Sequence, residues 1–363
     1  MKYLSDAIQN NETLICLFLW SDINTESMKY LSYAIQNSIS ISHFVSLGDS
    51  NLKMIECIKR SLEIKNLVNQ KLTHLNLYGI NVESMKHLSD AIKNNKTLTH
   101  LELYDINVES MKHLSDAIKN NQTLTHLYLC EDINIESMKH LSEGIKDSKT
   151  LIYLELSSDI NVESMKILSN VIKNSQTITE LFLNNGIDVE SMKYLSDVIK
   201  NSKSLTCLFL NGYMCVESMK YLNDAIEKNN TISLLGIYCE IDIESMKYLS
   251  NVIKDNQILL EIQLFGDIND MDVESMKYLS DAIKNSRTLK RILLDNNINA
   301  ELMKYICDAI QVSQTLTHLY IYFVDKNIDS IKYLNEAIRY SKTLTHLYTF
   351  YDINIESMKY LSG

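Results

Sequence analysis

The chain has 363 residues, of which 45% are apolar and 22% charged, and a formal net charge of −11. That charge disfavours a nucleic-acid backbone or an anionic membrane as the main partner. No run approaches the roughly 18 apolar residues of a membrane-spanning helix, and the opening MKYLSDAIQNNE lacks the apolar segment of a secretory signal.

One stretch is copied along the whole chain. In its clearest form, Leu98 to Thr123, Leu101 and Leu103 alternate with polar or aromatic residues, the period of a short strand. Met111, Leu114 and Ile118 then fall at i, i+3 and i+7, with Ala117 beside them, which is one face of a helix. A unit this small cannot bury its own apolar face and must stack on copies of itself.

Taken in order, the helices begin near Met1, Met28, Leu52, Met85, Met111, Met138, Met165, Met192, Met219, Met246, Met276, Met303, Ile331 and Met358. The predicted strands centre on Leu17/Leu19, Phe44, Leu75/Leu77, Leu101/Leu103, Leu127/Leu129, Leu154/Leu156 and Leu181/Leu183. They continue at Leu208/Leu210, Leu235/Ile237, Ile262/Leu264, Ile292/Leu294, Leu319/Ile321 and Leu347. Length alone would suggest two or three domains, but a repeat allows one continuous core. The expectation is therefore a single domain, 1–363, of about 13 repeats of 26–28 residues. Segment 41–70 is irregular, the loop 266–272 carries an insertion, and both ends are incomplete repeats. Strands joined by helical returns must run parallel. Strands sit about 4.8 Å apart and helices about 8–10 Å apart, so the stack should curve, strands inside and helices outside.

The half-repeat LSDAIKNNKTLTHLEL, Leu88 to Leu103, resembles the ribonuclease-inhibitor-like class of leucine-rich repeats. The shared signature is a helix ending in Ala-Ile, an Asn-rich turn with Thr, then Leu-x-x-Leu-x-Leu. It covers nearly the whole chain and is weakest at 41–70. The resemblance implies an α/β solenoid, a curved horseshoe whose concave face and rims recognise proteins. One departure stands out. The family's asparagine, three residues after the last strand leucine, is replaced by Ile80 and Ile106, and Asn81 and Asn107 follow one residue later.

The strand positions between the core leucines should face the concave surface. They carry Trp20, Tyr78, His100, Glu102, Tyr104, His126, Tyr128, Tyr153, Glu155, Glu180, Phe182, Phe209, Tyr238, Phe265, Tyr320 and Tyr348. Helix residues barely change between copies while these positions vary in size and charge. That pattern is what a binding surface needs, and aromatic side chains give contact area at low entropic cost. The carboxylates of Glu102, Glu155, Glu180 and Glu261 would select a partner with basic groups. His74, His100 and His126 align on neighbouring strands, as do His318 and His346, and read as a polar ladder rather than a metal site, because strand spacing keeps imidazoles apart. Glu109 and its copies precede Lys by three residues and read as helix-surface pairs.

Only 8 glycines occur, and no phosphate loop, nucleophile elbow or zinc motif is present. The seven cysteines are odd in number and lack metal-type spacing, which fits free thiols in a reducing compartment. The expectation is a noncatalytic, cytoplasmic protein-binding scaffold with no cofactor and no metal. The alternatives are a self-assembling array joined end to end and a decayed copy within a duplicated family. The bias toward Asn, Ile, Lys and Tyr fits an AT-rich genome, such as that of an amoebal virus, a protist or an intracellular bacterium; for the first and last of these the compartment would be the host cytoplasm.

Overall fold

A computed structural model describes residues 2–19, 30, 34, 38, 40–49, 72–130, 133–184, 186–266, 272–295, 298–322 and 328–350. Trp20 lies outside them, as do most of the irregular segment 41–70 and most of the insertion 266–272. Two compact units divide the chain, Met1–Leu183 and Asn184–Gly363.

The first unit holds helices α1 (Lys2–Gln9), α2 (Val82–Asn94), α3 (Val108–Asn120), α4 (Ile135–Asp147) and α5 (Val162–Asn174). Its strands are β1 (Cys16–Leu19), β2 (His43–Asp49), β3 (His74–Tyr78), β4 (His100–Tyr104), β5 (His126–Cys130), β6 (Tyr153–Ser157) and β7 (Glu180–Asn184), the last residue of β7 falling in the second unit. They pair in parallel and in chain order, with Leu75 opposite Leu101 and Leu101 opposite Leu127.

The second unit repeats the plan with α6 (Val189–Asn201), α7 (Val216–Lys228), α8 (Ile243–Asp255), α9 (Val273–Asn285), α10 (Ala300–Val312) and α11 (Ile328–Tyr340). Its strands are β8 (Cys207–Asn211), β9 (Leu234–Tyr238), β10 (Glu261–Phe265), β11 (Arg291–Asp295), β12 (His318–Tyr322) and β13 (His346–Phe350), again parallel and sequential. Every predicted strand is present. The fold is a repeating α/β solenoid.

Each element forms for a local reason. The apolar strand residues (Leu75, Leu77 and their copies) and the helix stripe (Met85, Leu88, Ala91, Ile92) are almost fully buried and make the core between sheet and helices. Most of the helices are started by an Asx side chain, whereas α7 has Cys215 at its N-cap and no side-chain cap bond. Asn81 accepts from the Ser84 amide and Asn107 from the Ser110 amide, both at 2.9 Å, and Asp188, Asp242 and Asp272 act alike at 2.7 Å. This explains the departure from the family pattern: Ile80 and Ile106 are buried, and the displaced asparagine caps the helix. Asp272, at the end of the inserted loop 266–272, is thus a cap.

Several helices end in a second asparagine device, while others carry serine at the same position. Buried Asn121 accepts from the amides of Thr123 and Leu124 at 2.7 and 2.6 Å, and its Nδ2 donates back to the Ile92 carbonyl of the preceding repeat at 2.6 Å. Asn229 and Asn256 reach Ile199 and Ile226 in the same way, at 2.7 and 3.1 Å. The orphan carbonyls at a helix end are thereby satisfied across repeats. Thr97, Thr123 and Thr150 add a parallel ladder of hydroxyl-to-carbonyl bonds at 2.8–3.0 Å.

Candidate sheet-face binding site

The pleat places alternate strand residues on the face away from the helices, and the parallel register stacks them into columns. In the first unit one column runs His43, His74, His100, His126, Tyr153, Glu180, and the next runs Val45, Asn76, Glu102, Tyr128, Glu155, Phe182. Tyr78 and Tyr104 open a third. These side chains are half-buried, alternating with the fully buried leucines.

The first column is a stack of four imidazoles. Ring centres lie 3.9, 3.9 and 4.0 Å apart, and Tyr153 continues the stack 5.2 Å beyond His126. Each ring is held by the hydroxyl before it in sequence: Ser42 at 2.7 Å from His43 Nδ1, and Thr73, Thr99 and Thr125 at 2.8 Å from their neighbours. The threonine hydroxyls also reach the carbonyl of the preceding repeat at 3.1–3.2 Å. With the threonine proton on that carbonyl, Nδ1 is the donor of the Thr–His pair and Nε2 keeps a lone pair. Burial and the neighbouring imidazoles push His100 down to about 4 and lower His74. Burial also lowers His126, against the opposing charge of Glu180. These rings are therefore neutral at pH 7. Among the described residues no three His, Cys, Asp or Glu side chains converge to hold a metal ion.

The second column carries the charge. Glu102 accepts from Asn76 Nδ2 and, at 2.8 Å, from the Tyr104 hydroxyl, while Tyr153 donates to Glu155. Asn76 Oδ1 is buried without a partner. Tyr78 and Tyr104 stack at 3.9 Å, and Tyr104 meets Tyr128 at 5.4 Å. Burial, then the Glu102 carboxylate, raises the Tyr104 hydroxyl far above its ordinary value. A hollow of about 440 Å³ opens over β1–β6, lined by the imidazole stack, Phe18, Asn76, Glu102, Tyr128, Tyr153 and Glu155.

The second unit presents a different face. Glu261 is already paired with Arg291 and accepts from Gln263 at 2.5 Å, so it is neutralised internally. Tyr238 stacks on Phe265 at 4.0 Å, Tyr320 on Tyr348 at 4.4 Å, and His318 on His346 at 4.1 Å. Phe209 departs from the expectation. It is 7% exposed because it lies across Gly236 of the next strand, whose missing Cβ leaves the space it fills. It shapes the surface instead of presenting a contact. The remaining described positions named from the sequence stand on the sheet face of one unit or the other. His43 was missed. The recurrent Ser/Thr-His pair, Ser42-His43 before Thr73-His74, is the signal that would have found it.

No family model matches the chain, and no curated protein matches it. Among solved structures, a chain from the crystal structure of the Rad7 and Elc1 complex in yeast is similar over 96% of this chain and 82% of its own, with 15% identity and a TM-score of 0.50. Leiomodin-1 actin-binding site 2 aligns over 40% of this chain and 84% of its own, with 14% identity and a TM-score of 0.33. The first likeness agrees with the repeating α/β fold.

Proposed function

We propose that this chain is a noncatalytic protein-binding scaffold of the leucine-rich-repeat type, with the sheet face, the concave side of such a fold, as its recognition surface. The carrying observation is the contrast between the two sides of each repeat. The helices hold one nearly invariant sequence, while the columns on the sheet face change from imidazole to phenol to carboxylate. Half-buried aromatic side chains, held by neighbours, offer contact area with little left to order. The net charge of −11 and the carboxylates Glu102, Glu155 and Glu180 favour a partner with basic groups. The yeast neighbour comes from a complex of two proteins, which is compatible with this reading, although the likeness itself is one of fold. A cytoplasmic setting suits a chain in which, among the described residues, no helix is long and apolar enough to cross a membrane.

The test is Tyr104→Ala combined with Tyr128→Ala. Capture of a partner from lysate should be lost while circular dichroism stays that of the parent. Capture at full strength by the folded variant would remove the sheet face of the first unit as the recognition surface.

A further inference from the structure

The hollow on the first unit is lined by carboxylates, imidazoles and phenols side by side. Among the described residues that line it, none is lysine or arginine. Two carboxylates enter it, Glu102 from β4 and Glu155 from β6, with Tyr128 of β5 between them in the same column. Two strand spacings separate their backbones by roughly 10 Å, enough for one flat group to sit over Tyr128 and be bonded from both sides. The wall beside them is the imidazole stack, in which the Nδ1 atoms of His74, His100 and His126 are taken by threonine and their Nε2 lone pairs remain as acceptors. The lining thus combines negative charge, hydrogen-bond acceptors in several directions and aromatic faces. It asks for a cation that is planar, rich in N–H donors and able to stack.

We propose that this hollow receives an arginine side chain, presented by an extended segment of a partner protein. Guanidinium has five N–H donors in a rigid fork, stacks on aromatic rings and gives up its hydration more readily than ammonium. Its fork matches carboxylates held in place, as Glu102 is by Asn76 and Tyr104 and Glu155 by Tyr153. The volume of about 440 Å³ is in the range of small-ligand sites, about 300–1,000 Å³, and so admits the side chain together with part of the segment that bears it. Among the described residues of the second unit, the strand carboxylate Glu261 already holds Arg291. That internal pair shows the same chemistry satisfied within the chain. The proposal rests on the sheet face being the recognition surface.

The experiment uses the full chain with its histidine rings labelled for NMR. The probes are the capped peptide Gly-Gly-Arg-Gly-Gly and its lysine and citrulline counterparts. The arginine peptide should shift the His100 and His126 signals saturably and leave His318 and His346 unmoved. The lysine peptide should bind several-fold more weakly, and uncharged citrulline should give no shift. Glu102→Gln with Glu155→Gln should weaken arginine binding by about tenfold or more, with the His318 signal confirming an intact fold. No saturable shift, equal binding of lysine, or unchanged binding by the double variant would overturn the proposal. Partner capture separates the two claims. If Tyr104→Ala/Tyr128→Ala loses the partner while the Glu→Gln pair keeps it at full strength, the sheet-face reading stands and the arginine pocket falls. If both variants keep it, both fall.

Discussion

Asp105 sits in the left-handed region at φ 54°, in the turn after β4, where the preceding repeat has Gly79 at φ 58°. The turn is needed because the chain must leave the sheet there, and both residues bond onward, Gly79 N to Tyr104 O at 3.1 Å and Asp105 N to Cys130 O at 3.4 Å. Aspartate tolerates this conformation better than other side chains but not freely. Asp105→Val should lower unfolding free energy by about 1–2 kcal/mol, while Asp105→Gly should not lower it; denaturant melts of both variants are the check. A second residue-scale expectation concerns His100. Its folded value near 4 lies below the ordinary 6.5, so between those values the unfolded chain binds more protons. The contribution is fully present above pH 6.5 and is lost as pH falls toward 4. The melting temperature of the parent should fall across that window more steeply than that of His100→Gln. Parallel curves would show that the ring titrates freely.

At the scale of one element, α4 shows how closely the helices stack. Gly144 replaces the alanine of α2 and α3, and a Cβ there would lie 2.8 Å from the Ser115 carbonyl oxygen. Nearby, Ser89 donates to the His113 carbonyl at 2.5 Å, a small polar residue bonding one helix to the next. Alanine is favoured over glycine in a helix interior by about 1 kcal/mol, but overpacking costs typically about 1–3 kcal/mol. Gly144→Ala should therefore lower the melting temperature; a rise would mean that α3 and α4 part at no cost. The helices and strands themselves were readable, since the apolar residues keep both periods in the copies outside the irregular segment 41–70. The inter-repeat bonds were harder. Asn121 and Ser148 occupy the same turn position, yet only the longer amide reaches back to the preceding repeat, while the Ser148 hydroxyl serves its own turn. That distinction depends on side-chain length across a gap, not on pattern.

At the scale of the molecule, the two units share a fold and differ in the chemistry of their sheet faces. The first keeps Glu102, Glu155 and Glu180 beside neutral imidazoles. The second closes Glu261 onto Arg291 and carries paired aromatic rings. Sequence placed most of these side chains on the correct face because strand alternation leaves no choice. It could not show that Glu261 is neutralised, since the pairing with Arg291 lies across strands 30 residues apart in sequence. Nor could it show that Phe209 lies across Gly236, or that four imidazoles stack with neighbouring ring centres no more than 4.0 Å apart. Helix-surface pairs such as Glu136–Lys139 at 2.7 Å and Glu190–Lys193 at 2.5 Å are exposed and worth little, which leaves the sheet face as the side with distinctive chemistry.

The most direct measurement is site-directed photo-crosslinking. Benzoylphenylalanine is placed either at Phe182, on the sheet face, or at Lys139, on the outer surface of α4, and the full chain is irradiated with a captured partner. Adducts from position 182 and none from position 139 are expected. Adducts only from position 139, or none from either, would contradict recognition through the sheet face.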